Sequence, residues 1–152
     1  MAQFTVNDSY VAIQGHLMAS GHFAEATIGE PTAWGDSGQL YGAIWTMGTR
    51  SPYVSFDSTM RVYDTRVRLY TQAFTSPLDS REFVLARAVQ QIASDLAGDY
   101  TLGGTIRELD IAGQFGPPMR ARWGHAAVAG VMYRIADIDV GLVINNSSIM
   151  SI

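Results

Sequence analysis

The chain has 152 residues and a net charge of −4, a size that suits one domain around a single core and an acidic balance that excludes a strongly basic, phosphate-gripping nucleic-acid domain. Charged residues make up 16% and hydrophobic ones 47%, globular values with fewer charges than usual. Cysteine is absent, which removes disulfide scaffolds, thiolate metal sites and a cysteine nucleophile.

The first periodic segment is "DSYVAIQGHLMAS", residues 8–20. Tyr10, Ile13 and Leu17 fall at i, i+3 and i+7 with Met18 beside them, so the spacing predicts a short helix with one apolar face. Asn7 or Asp8 can cap its start, and Gly21 stops it. From Phe23 to Phe74 the period falls to two. "FAEATIG" and "LYGAIWTMG" read as a hairpin of strands separated by the turn-rich "EPTAWGDSGQ". After the loop-like "RSPYVSFDST" comes a long strand, "MRVYDTRVRLYTQAF". Val67, Leu69 and Thr71 point one way, Arg66, Arg68 and Tyr70 the other, and Asp64-Thr65 is read as a bulge or bend.

A second helix is predicted over residues 80–97. Asp79 and Glu82 make a start resembling a capping box after Pro77, Leu85, Val89, Ile92 and Leu96 line one face, and Gly98 is the stop. The remainder reads as β: a strand over "GGTIRELDI", the turn "GQFGPPMR", and one extended run from Arg122 to Asn145. In its second half Ile138, Val140, Leu142 and Ile144 alternate with Asp137, Asp139, Gly141 and Val143. The element order is α-β-β-β-α-β-β, an α+β fold with a mixed, largely antiparallel sheet and two helices packed on it, in a single domain over 1–152.

The residues offer little chemistry. His16 and His22 are six apart across a helix end, a poor metal spacing, and His125 reads as packed or solvated. Asp137 and Asp139 share a strand side and could hold a hard cation, but a solvated strand face is the plainer reading, and Glu108 with Asp110 is treated alike. Gly103-Gly104 precedes a strand, not a helix, so it is no phosphate cradle. All ten basic residues are arginine, so a P-loop lysine is excluded, and no G-x-S-x-G elbow occurs. Asn146-Ser147-Ser148 matches a glycosylation acceptor by composition. No catalytic, cofactor or metal residues are assigned. No apolar run approaches the roughly 18 residues of a membrane span and no signal pattern opens the chain, so a soluble protein folding in a cytoplasm is expected.

The low charge density fits repeated contact with copies or partners, and equally an apolar-rich monomer. Arg61, Arg66 and Arg68 cluster on one strand, with Arg120 and Arg122 flanking another. They make either a solvated face with local ion pairs or a contact patch of the kind in which arginine is enriched.

Taken in order, these segments resemble the tail terminator family of long-tailed bacteriophages. "REFVLARAVQQIASDLAGDYTLGG" resembles the family's apolar helix, acidic-aromatic turn and paired glycines. "WGHAAVAGVMYRIADIDVGLVI" resembles its closing strand with a Y-R step, and "MRVYDTRVRLYTQAF" fits the strand before the helix. The match runs from the second helix to the end, while the first 50 residues add the N-terminal helix and hairpin.

The resemblance implies a small α+β structural protein without catalytic residue or cofactor. It implies a hexameric ring on the head-proximal end of the tail tube, which stops tube polymerisation and joins tail to head. Partners would be further copies, the tail-tube protein and a head-completion or neck protein. No membrane and no sequence-specific nucleic acid are implied, with DNA passing through the ring. The protein would reside in the virion tail after assembly in the host cytoplasm. Ring interfaces suit sheet edges and long loops, so Trp34, Tyr53, Phe56, Phe115 and Met119 in the three loops are candidate contact anchors beside the arginines. The alternatives are another tail or neck ring protein, such as a tail-tube protein, and a small enzyme with a non-obvious site.

Overall fold

The period-two segments form one six-stranded mixed sheet, and the two helical segments pack on one of its faces, giving the expected α+β architecture. The computed structural model describes residues 6–35, 38–51, 60–72 and 78–145. The order is α1 (Val6–Ala19), β1 (Phe23–Ile28), β2 (Leu40–Arg50), β3 (Met60–Gln72), α2 (Leu78–Gly98), β4 (Glu108–Leu109), β5 (Arg120–Val128) and β6 (Val131–Asn145). In space the strands run β1-β2-β3-β6. The far side of β6 is shared by β5 along Val131–Asp139 and by β4 at Leu142 and Val143.

The helix-covered side holds the main core. Leu85, Val89, Ile92 and Leu96 of α2 are buried, as their spacing predicts, with Tyr10, Ile13 and Leu17 of α1. They meet Ile44, Val67, Leu69, Ile138, Val140 and Leu142 from the sheet. Each such fully buried side chain contributes about 1.5–3 kcal/mol. Gly42 lets α1 come close: a Cβ there would meet Leu17 Cδ1 at 3.0 Å and the Phe23 ring at 3.3 Å. Met18 does not join this face and is 45% exposed.

Four further expectations change. First, β1 and β2 are not a hairpin but run parallel, with Phe23 beside Leu40 and Ile28 beside Ile44. Parallel pairing requires a crossover, and the connection carries Trp34 onto the side of the sheet away from the helices, where it packs with Tyr41 and Tyr70. Second, the irregularity near Asp64-Thr65 belongs to the partner strand. Met47 of β2 is the extra residue between the Thr46–Thr65 and Gly48–Asp64 pairs, while β3 stays in unbroken register with β6.

Third, most of "GGTIRELDI" is turn, and β4 keeps two residues. Leu102, with a left-handed φ of 48°, and Ile106 reach the core through successive turns at Thr101–Ile106, so tertiary burial replaces strand alternation. Gly98 is accordingly the last helical residue, and the chain leaves through these turns. Fourth, the extended run folds back at Ala129-Gly130, whose φ values of 52° and 78° suit a two-residue primed turn. One expected strand thereby becomes the β5–β6 hairpin. The Asp79 cap concerns a side chain outside the described residues.

Candidate functional site

Away from the helices the sheet is built differently. At one end Tyr41, Tyr70, Tyr133 and Ile135 form a second, smaller cluster with Trp34 and Trp45 packed against it. Trp34 stacks on Tyr41 with centroids 5.0 Å apart, and Tyr70 meets Tyr133 edge-on at 5.8 Å. Burial is the main cause that raises the Tyr70 phenol above its ordinary range.

In the middle lies an ordered array of charge. The register places Arg66 of β3, Asp139 of β6 and Arg120 of β5 in one row, and Arg68, Asp137 and Arg122 in the next. Arg66 donates through Nε to Asp139 Oδ1 at 2.8 Å and through Nη2 to Oδ2 at 3.1 Å. Arg68 makes the same fork to Asp137, at 2.7 and 3.0 Å. These are the bidentate pairs for which a guanidinium is preorganised. Hydrogen bonding to the aspartates holds both guanidiniums above their ordinary pKa. Arg68 also lies 5.2 Å from the centre of the Trp45 ring, a cation–π contact.

Asp137 and Asp139 are each 8% exposed, so the solvated-face reading of these two residues is wrong. A carboxylate loses too much hydration to be buried unless a partner replaces the water, and the arginines of β3 supply that partner. The array is nonetheless unbalanced on its β5 side. Arg122 makes one long contact, 3.4 Å to an Asp139 oxygen that Arg66 already occupies, and its side chain is 55% exposed. Arg120 is exposed and has no ion-pair partner among the described residues. A groove of about 290 Å³ opens here, between Met47 of the bulge, Pro117-Pro118 and the guanidiniums of Arg66, Arg120 and Arg122. Arg50 closes its neighbourhood by pairing with Asp64 at 3.1 Å and bonding the Phe115 carbonyl.

Four of the five sequence-selected arginines, Arg66, Arg68, Arg120 and Arg122, therefore meet in one array. Arg61 stands apart, exposed and in register with Ile144. The loop aromatics do not converge. Trp34 is half-buried in the aromatic cluster, and Met119 packs against the main core, so neither is a free anchor. Phe115 is half-buried, and its amide donates to Asp110 at 2.9 Å. Tyr53 and Phe56 lie outside the described residues, as does the Asn146-Ser147-Ser148 match. Sequence reasoning allowed local ion pairs for these arginines but did not name Asp137 and Asp139 as the partners, although an R-x-R on β3 and a D-x-D on β6 carried a usable signal of matched spacing and opposite sign.

Elsewhere the titratable groups serve structure. Asp110, 3% exposed, accepts from the Gln114 and Phe115 amides and shapes the turn after β4. His16 pairs with Asp99 at 2.8 Å, which is the main cause holding that carboxyl below its ordinary range. His22 bonds Gln91, and His125 is exposed. Among the described residues no group of three or more His, Cys, Asp or Glu gathers to hold a metal ion, and no helix is long and apolar enough to cross a membrane. What the array can do chemically is bind: it presents surplus guanidinium beside an apolar-walled groove. Comparison with protein-family models and with curated proteins finds no match to this chain.

Proposed function

We propose that the protein is a structural virion subunit that forms a ring, hexameric by resemblance, on the head-proximal end of a bacteriophage tail tube. There it ends tube growth and joins the tail to the neck. The observation that carries the reading is the α+β fold with both helices on one face of the sheet. Such a fold is what the resemblance implies, and it leaves the opposite face and the sheet edges as surface for neighbours. Exposed large apolar side chains, among them Trp123, Met132 and Phe83, add contact material. The reading assigns no catalytic role and no cofactor. Its partners are further copies, the tail-tube protein and a neck protein, and DNA passes through the ring without sequence contacts.

A tube subunit exposes at each end the surface that recruits the next one. A ring that binds this surface and presents another face outward removes the template for growth. Contacts repeated around the ring multiply into high avidity even when each is modest. A tail-tube subunit is the competing reading. Such proteins are expected as β-sandwiches with one helix, and the presence of both α1 and α2 weighs against it.

Deleting the gene tests the proposal. Expected are filled heads without tails and tubes of uncontrolled length, with purified protein restoring head joining on tails of normal length. Tails of normal length attached to heads in the deletion strain would refute it.

A further inference from the structure

The sheet has two outer edges, and they are managed differently. β1 is short, its register shifts between Phe23 and Glu25, and Gln14 of α1 donates to its Ala26 carbonyl at 2.6 Å. Short length, irregularity and a covering side chain all blunt an edge against further pairing. β5 is neither short nor irregular. Its nine residues, Arg120–Val128, hold unbroken register with β6 and contain no proline or lysine. Among the described residues no strand pairs with its other side, and Arg134 of β6 donates to its Gly124 carbonyl at 3.3 Å.

The charge rows end at this same edge. Across three strands they read arginine, aspartate, arginine, twice over. Four arginines thus stand around two carboxylates that bond three of them, and the shorter contacts all go to the β3 side. Arg120 and Arg122 are left exposed at positions i and i+2, pointing into the groove. Ala121 lies between them on the opposite face, packed against the main core, and Trp123, the residue after Arg122 and 41% exposed, points to that same face in register with Ala136. A strand added beside β5 would continue both rows if it carried acidic residues at i and i+2, with apolar residues between and beside them to lie on Ala121 and Trp123.

We propose that the β5 edge is a docking site for an extended acidic segment of a different protein, of the form acid–apolar–acid, added to the sheet as a seventh strand. Backbone hydrogen bonds supply the pairing, and the two arginines select the charge pattern. A second copy of this chain does not carry a free segment of that form. Acidic residues two apart occur at Glu108/Asp110 and Asp137/Asp139 in the sequence. Asp110 is buried beneath its own turn, and Asp137 and Asp139 lie in β6 between β3 and β5. The inference does not depend on the tail-capping reading.

The test titrates the full chain with a synthetic peptide of alternating aspartate and valine flanked by threonine, followed by backbone amide shifts and Trp123 fluorescence. Three controls accompany it: a peptide of equal composition with acids three apart, the alternating peptide N-methylated along one edge, and inorganic polyphosphate. The expected result is amide shifts along β5 for the alternating peptide, with affinity reduced at least about tenfold by R120E/R122E and by N-methylation. Because both positions adjoin the buried Asp137 and Asp139, the neutral R120Q/R122Q accompanies the charge reversal and should weaken binding while melting close to the parent; an Arg120→Asp/Arg122→Asp protein should instead prefer a peptide with arginine in the acidic positions. Failure of the alternating peptide to bind at about 1 mM would overturn the proposal. So would equal binding of the spaced peptide or polyphosphate, which reduces the site to general anion attraction. An oligomer that R120E/R122E dissociates would mean a second copy already covers the edge, and also refutes it.

Discussion

The two faces of this sheet solve the same problem with different materials. Under the helices, burial is mostly apolar, and the polar groups that α1 brings in are satisfied: Ser9 bonds its own helix at the Val6 carbonyl, and the Tyr10 hydroxyl bonds Thr46 at 2.5 Å and Thr65 at 2.9 Å. On the other face no helix among the described residues covers the strands, and the same β3 and β6 instead bury paired charges beside stacked aromatics. The contrast teaches that strand alternation sorts residues by side but does not say whether the polar side is wet. Here the carboxylates of β6 are largely buried because β3 answers them.

The largest effect expected from breaking this contrast is on the covered face. Ile92 is fully buried on α2, and Ile92→Asp would place an unpaired charge in the core, at a cost above about 4 kcal/mol. The variant should be insoluble or unfolded by circular dichroism, and a cooperative melt near that of the parent would contradict the assigned face.

On the open face the corresponding change is Asp137→Ala, which leaves Arg68 facing a partly buried vacancy in the array. The expected loss is about 2–4 kcal/mol by urea denaturation, moderated because the arginine keeps some access to water. Adding Arg68→Ala should cost less than the sum of the two single changes, since the partner of a lost charge is no longer stranded. Additive losses would show that the pair acts as two independent side chains.

Tyr10→Phe returns to the covered face and removes its polar contact. A loss of about 1–2 kcal/mol is expected, as Thr46 and Thr65 lose a shared partner. Burial raises the Tyr10 phenol pKa in the folded protein, so its contribution is complete below the unfolded value near 10 and is lost as pH rises through the folded one. The parent should therefore lose stability above about pH 10 more steeply than the variant does. Parallel pH profiles would contradict the buried phenol.

The smallest effect concerns the exit of α2. The His16 hydrogen bond lowers the Asp99 pKa, so the contribution of this carboxylate is present above its unfolded value and lost as pH falls through the depressed folded one. Asp99→Asn should be less stable than the parent at pH 6 by under about 1 kcal/mol, because the pair is partly exposed. The difference should close below about pH 4, and a gap that persists at pH 2 would assign the stability to something other than the charge.

Periodicity made the layers legible. The i, i+4, i+7, i+11 spacing of Leu85, Val89, Ile92 and Leu96 fixes the buried stripe of α2 in any fold that packs it, because side-chain direction follows from helix geometry. Alternation in β3 and β6 likewise separates Val67 and Ile138 from Arg68 and Asp137. Reversals and partnerships were not legible. Ala129-Gly130 lacks the Asn or Asp that usually announces a primed turn, so an unbroken extended run concealed a hairpin. Ile106 read as a strand residue, and turns deliver it and Leu102 to the core instead.

By itself, then, the sequence determined the α+β class, the faces of α2, β3 and β6, and the absence of cysteine and lysine chemistry, since each follows from residue type and local period. Tertiary structure decided that β1 runs parallel to β2, that Trp34 is held in the aromatic cluster, and that Asp137 and Asp139 are buried partners of Arg66 and Arg68. It also decided that Arg120 and Arg122 arrive beside carboxylates already taken. The physical reason is that pairing across strands depends on which segments meet and in what register, and residues some seventy positions apart carry no local mark of it.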